Sequence, residues 1–142
     1  SITETQLEGM DEDNPFSNNS ANTTVLPAEE KALLDRCGGD VMFFRLKGPL
    51  SFGAAKGITD RMALVQNYKI LILDITEVPR LGVTATLALE DMMLEAKNND
   101  KKAFVAGAND KVKERLSKFG IDGVIVETRK EALLSALDEI NK

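Results

Sequence analysis

Downstream of position 40 the chain alternates between two hydrophobic rhythms. Short, nearly continuous apolar runs are followed by longer stretches in which apolar residues return every three or four positions, the spacing of one helix face. Val41 to Leu46 (VMFFRL) is the first run, and Lys47-Gly48-Pro49 ends it as a turn, so it reads as a strand. Ser51 suits the N-cap of a helix in which Ile58, Met62 and Val65 recur at i, i+4 and i+7. Ile70 to Ile75 (ILILDI) is apolar on both faces, as a central strand covered from two sides must be. Gly82 to Lys97 follows as a helix, small and apolar all round in its first half and carrying Glu90, Asp91, Glu95 and Lys97 in its second. Its start is therefore expected to be buried and its end wet.

The second half repeats the pattern. Ala103 to Ala106 is a third strand broken by Gly107, and Asn109 or Asp110 caps a helix with a Val112, Leu116, Phe119 stripe that stops at Gly120. Val124 to Val126 is a very short fourth strand. Thr128-Arg129-Lys130-Glu131 is a capping-box sequence, and Leu133, Leu137 and Ile140 line the helix it opens. Upstream, Pro27 suits a helix start, Glu29 and Glu30 its first turn, and Gly38-Gly39 its end, giving a helical lead-in over 27–37. Alternation with short connections predicts an α/β domain with a mostly parallel central sheet of about four to five strands and alternating helices. The domain is expected over 25–142, with the strand and helix core at 40–142. There is no internal repeat.

Residues 1–24 break the rhythm. They are rich in Asn, Ser, Thr, Asp and Glu, with Leu7, Met10 and Phe16 at no period, and read as a flexible acidic linker. Asn18-Asn19-Ser20 and Asn22-Thr23-Thr24 match a glycosylation pattern, but no basic start or apolar stretch marks a secretory signal, so a polar linker is the favoured reading. Since Ser1 is not an initiator Met, the chain reads as a piece of something longer.

Charge sharpens that division. The chain has 18 Lys plus Arg and 23 Asp plus Glu, a net charge of −5. Seven of the acids lie in residues 1–30, which hold no base, leaving 16 acids against 18 bases in 31–142. An acidic leader is thus joined to a nearly neutral domain. With no histidine, Ser-His and Cys-His activation, imidazole acid/base work and His-bearing metal sites are excluded. The single Cys37 can form neither an intrachain disulfide nor a thiolate cage, and reads as a small apolar residue near a helix end.

Three features bear on chemistry. Asp74 closes the strongest strand, where open α/β sheets place functional groups. A phosphoryl-accepting aspartate would need further carboxylates for Mg²⁺, but the first strand exits through Arg45, Leu46, Lys47 and Gly48. Asp74 is then expected to bind backbone N–H groups of the following turn. Gly48, Gly53 and Gly57 imitate a phosphate loop without its Lys-Ser/Thr, so Gly53 reads as a helix-start residue where backbones pass closely. The third is the connection from Asp74 to Thr84, whose helix start could hold an anion or a phosphorylated hydroxyl, unless Thr84 or the Gly82 backbone simply caps the helix.

Val41 to Ala55 (VMFFRLKGPLSFGAA), LILDITEVPRLGVTATLALEDMM from Leu71, and AFVAGANDKVKERLSKFGI from Ala103 together resemble the STAS domain. That domain is shared by bacterial anti-sigma factor antagonists and the cytosolic tails of SulP-type anion transporters. Gly48 to Phe52 (GPLSF) is similar to the transporter form, and ILDITEVPRLGVTATLALE is most like the cyanobacterial bicarbonate-transporting members. Phosphorylatable antagonists carry Asp-Leu-Ser, a spacer, then Asp-Ser-Ser/Thr-Gly, the first Ser of the second group being the acceptor. Asp74-Ile75-Thr76 matches the opening, but Gly82-Val83-Thr84-Ala85 puts Val83 in the acceptor place and Gly82 in that of its acidic neighbour. The resemblance thus implies a non-enzymatic domain without cofactor or nucleic acid. It would lie at the C-terminus of a transporter, on the cytoplasmic face of the cell membrane. There it would mediate homodimer assembly and regulate sodium-coupled bicarbonate transport through the transmembrane domain of the same polypeptide. Asp74, Thr76, Gly82, Val83 and Thr84 form the expected regulatory or anion-contacting loop, with Thr84 the remaining hydroxyl. Weak nucleotide binding near Gly48 and Gly82 is compatible with the family. The leader and the Ala28 to Cys37 helix are expected to supply dimer contacts, and the alternative function is a stand-alone anti-sigma factor antagonist that has lost its phosphoacceptor Ser.

Overall fold

The computed structural model describes residues 26–65, 67–121 and 123–142. Expectations that concern the acidic leader, its two glycosylation patterns and Leu7, Met10 and Phe16 lie outside these residues. In chain order the elements are α1 (Ala28–Cys37), a 3₁₀ turn (Gly38–Asp40), β1 (Val41–Lys47), α2 (Phe52–Leu64), β2 (Ile70–Glu77), α3 (Val83–Asn98), β3 (Lys102–Ala106), α4 (Asp110–Lys118), β4 (Ile125–Val126) and α5 (Arg129–Ile140).

The four strands form one parallel sheet in the order β1-β2-β3-β4. Because each strand is added on the same side of the last, right-handed crossovers drop α2, α3 and α4 onto a single face. They build the larger core there, around Ile58, Leu89, Met92 and Leu116 with Leu71, Leu73 and Ile75 of β2. The opposite face is left to the helices at the two ends. Leu33, Leu34 and Cys37 of α1 pack with Ala132, Leu133, Ala136 and Leu137 of α5 over Val41, Phe43, Ile70 and Ile72. This explains the unbroken apolar run of β2, which alternates its side chains between two covered faces. The apolar side of α1, Leu33, Leu34 and Cys37, is taken up by its own domain.

Local chemistry sets the helix starts. Ser51 Oγ accepts from Ala54 N at 3.0 Å, Asn109 Oδ1 from Val112 N at 2.8 Å, and Thr128 Oγ1 from Glu131 N at 3.1 Å. Glu131 closes its half of the box one residue early, since its Oε2 accepts from Glu127 N at 3.1 Å. Asn109 also donates from Nδ2 to the Pro79 carbonyl at 3.0 Å, tying the β2–α3 connection to α4. Ser51→Ala should therefore cost about 1 kcal/mol, and Asn109→Ala about 2 kcal/mol because it loses a cap and a cross-loop bond. Urea midpoints of the two variants check the ordering.

Two sequence expectations are corrected. A Cβ on Gly53 would meet only Ser51 Oγ, at 3.9 Å, so no close backbone passage occurs there. The start of α3 is not buried all round, because Val83 and Leu87 are 52% and 44% exposed. Among the described residues no helix is long and apolar enough to cross a membrane.

Candidate functional site

The period-two alternation of β2 turns Ile70, Ile72 and Asp74 toward the α1 and α5 face. Asp74 is fully buried there. Its Oδ1 accepts from Thr76 N at 3.0 Å and from the Thr76 hydroxyl, so its backbone partner lies two residues on within β2 and not in the turn that follows. Its Oδ2 faces two guanidinium groups, with Arg129 Nη1 at 3.2 Å and Arg45 Nε at 3.6 Å. Arg45 lies directly opposite Asp74 in the β1–β2 register, and its Nη2 stands 3.5 Å from Glu77 Oε2. Arg129 Nε donates to Glu30 Oε1 at 2.7 Å, and Lys130 Nζ pairs with Glu29 at 2.6 Å. An ionic ladder, Glu30–Arg129–Asp74–Arg45–Glu77, thus crosses from α1 through the start of α5 to β2 and β1.

Burial alone would lower the Arg129 pKa, but the bond from Glu30 and the charge of Asp74 outweigh it and leave the value raised. The guanidinium is a fixed cation. The donor set around Asp74 is therefore basic, whereas a metal-assisted phosphoacceptor would need neighbouring carboxylates. Cys37 is 2% exposed, and burial pushes its thiol pKa up, as suits an unreactive core residue.

The rest of the expected loop is placed apart from this ladder. Gly82 is the N-cap of α3, and its carbonyl accepts from Thr86 N at 3.0 Å and Thr86 Oγ1 at 2.7 Å. The Gly82 backbone, not the Thr84 side chain, thus occupies the cap position. Val83 opens the helix and Thr84 is exposed beside it. Neither is among the partners of Asp74 or Thr76. The structure brings Asp74 and Thr76 together and leaves Gly82, Val83 and Thr84 as an outward helix start.

Sequence reasoning missed Arg129, Glu30 and Gly107. Gly107 has φ of 80°, and a Cβ there would overlap Thr76 Oγ1 and stand 3.0 Å from Thr76 Cα. The chain turning off β3 thus presses on the residue that holds Asp74. A glycine just past a strand was the available signal, but it reads equally well as a plain break.

Comparison with known proteins places this geometry. Residues 34–135 match the STAS domain family. The chain is 37% identical over 118 residues to the bicarbonate transporter BicA of Synechocystis sp., covering 80% of this chain and 21% of the relative. It is 36% identical over 117 residues to the bicarbonate transporter BicA of Picosynechococcus sp., covering 79% and 21%. The chain therefore spans about a fifth of the length of these curated relatives. Among solved structures, the STAS domain of a SulP transporter from Vibrio cholerae superimposes with a TM-score of 0.71 at 29% identity, covering 81% of this chain and 98% of that one. The anti-sigma factor antagonist SpoIIAA in its unphosphorylated form gives 0.61 at 13% identity, over 72% of this chain and 90% of that one, and shares the fold alone. The four-stranded parallel sheet and these matches agree, and the chain belongs to the STAS domain family.

Proposed function

We propose that the chain is the cytosolic C-terminal STAS domain of a SulP-type membrane anion transporter, with bicarbonate as the anion and sodium as the coupling ion. The domain is non-catalytic and serves homodimer assembly and regulation of transport, with residues 1–24 as the linker from the transmembrane unit. The carrying observation is the 37% identity over 118 residues to a bicarbonate transporter of which this stretch is only 21%. Val83 in the acceptor place, exposed on the first turn of α3, supports the transporter reading over that of a phosphoswitched antagonist. The loop holding Thr76, Gly82, Val83 and Thr84 is the regulatory surface, and Asp74 fixes its strand end.

The experiment is bicarbonate uptake by cells lacking their own carriers, with the whole polypeptide that contains this chain expressed in them. Sodium-dependent uptake that falls several-fold when residues 27–142 are deleted is the expected result. Unchanged uptake after that deletion would remove the regulatory role, and no uptake by the intact polypeptide would remove bicarbonate. Dimerisation is read separately by sedimentation of residues 1–142. Val83, Leu87 and Leu94 line one outward face of α3 and are 52%, 44% and 54% exposed. Leu87→Glu with Leu94→Glu should shift the chain toward monomer if that stripe carries the contact.

A further inference from the structure

Away from the ladder, the β2–α3 connection and α4 border an open cavity of about 270 Å³ lined by Arg80, Leu81, Lys111, Glu114, Arg115 and Lys118. Four of these six side chains are cationic and one is acidic. That acid is already engaged, since Glu114 Oε1 lies 3.3 Å from Lys118 Nζ. Arg80, Lys111 and Arg115 have no carboxylate within ion-pairing distance among the described residues. Unscreened cations gathered round a concavity repel one another and focus a positive potential into it. Such an arrangement gains most from an anion with several charges.

The walls are held in place. The Asn109 amide fixes the Pro79 carbonyl at 3.0 Å, one residue before Arg80, and Leu81 is anchored at 5% exposure in the larger core. Lys111, Arg115 and Lys118 project from one flank of α4, beside the buried stripe of Val112 and Leu116. The guanidinium forks of Arg80 and Arg115 suit paired phosphoryl oxygens, and the ammonium groups suit single ones. Leu81 is the sole apolar residue in the lining and no ring is present, so a nucleobase would find nothing to stack on.

We propose that this cavity is a binding site for a compact phosphate-bearing polyanion, read by its phosphoryl groups and not by an attached base. Such a ligand is either a soluble oligophosphate or the phosphate headgroup of an anionic lipid. The site is distinct from the Asp74 ladder and stands whether or not the transporter reading does.

The test uses pyrophosphate as the probe, titrated into the 142-residue chain at low ionic strength and followed by amide resonances. Saturable shifts confined to residues 80–82 and 111–118, weakening as salt is raised, are expected. Arg80→Gln with Arg115→Gln should weaken binding about tenfold or more, through the loss of two charge-assisted contacts. Lys56→Gln with Lys97→Gln removes the same charge elsewhere and should leave it unchanged. Vesicles of phosphatidylglycerol and phosphatidylcholine form the second arm. Capture by these vesicles that pyrophosphate reverses assigns the headgroup, and pyrophosphate binding without capture assigns a soluble ligand. The proposal is overturned if neither probe binds, or if both double variants lose binding equally.

Discussion

Gly107→Ala is expected to destabilise the domain by about 2 to 5 kcal/mol, the sum of left-handed backbone strain of about 1 to 2 kcal/mol and overpacking of about 1 to 3 kcal/mol. Against a typical stability of about 5 to 15 kcal/mol, such a loss would leave a visible unfolded fraction at 37 °C. The case for overpacking is steric. The added Cβ would overlap Thr76 Oγ1, which can move, and stand 3.0 Å from Thr76 Cα, which is backbone in a paired strand. A matched control exists in Gly48, which has φ of 71° and nothing within 4 Å of an added Cβ. Gly48→Ala should show the strain alone, about 1 to 2 kcal/mol. Urea unfolding of both variants decides the matter, and equal losses would mean that crowding against Thr76 is unimportant. Combining Gly107→Ala with Thr76→Ala should recover only part of the difference, because the crowding against the Thr76 backbone remains.

The same region shows how far the sequence could be read. Parallel strands and their helices were legible because hydrophobic periodicity is local, and capping by Ser51 and Thr128 was legible because a cap lies within three residues of its partner. The site was only half legible for the converse reason. Asp74 and Thr76 are two apart and their bond was foreseeable, whereas Arg129 reaches Asp74 from 55 residues away. Arg45 was visible on β1 as a residue that is not an acid. That it stands opposite Asp74 depends on register, which only the paired strands fix. Val83 and Leu87 failed differently. Their hydropathy predicts burial, but it says nothing about which side of α3 the fold leaves uncovered. An apolar residue without a partner in its own chain looks the same in sequence as one in the core.

Asp74→Asn should be costlier than any other single change in the ladder, at about 3 kcal/mol, the lower end of the range for breaking a buried ion pair. The lower end applies because Arg45 and Arg129 keep 16% and 18% side-chain exposure, so water compensates them in part. The carboxylate itself has no such relief, being buried and serving Thr76, Arg45 and Arg129 at once. An asparagine amide can still accept from Thr76 N, but it must then turn its NH₂ group toward two guanidinium cations. Arg129 stays charged, since its pKa is raised, and cannot escape by losing its proton. Glu77→Gln removes a ladder end that is 41% exposed and should cost about 0 to 1 kcal/mol. Urea unfolding of the two variants at pH 7 tests the ranking, and comparable losses would mean that burial of Asp74 confers nothing. Glu30→Gln should fall between them and act on α1 first, because Glu30 joins that helix to Arg129. Hydrogen exchange in residues 28–37 should then rise before global stability falls. The ladder would act in this way as a clasp between the incoming helix and the strand that carries the loop to α3.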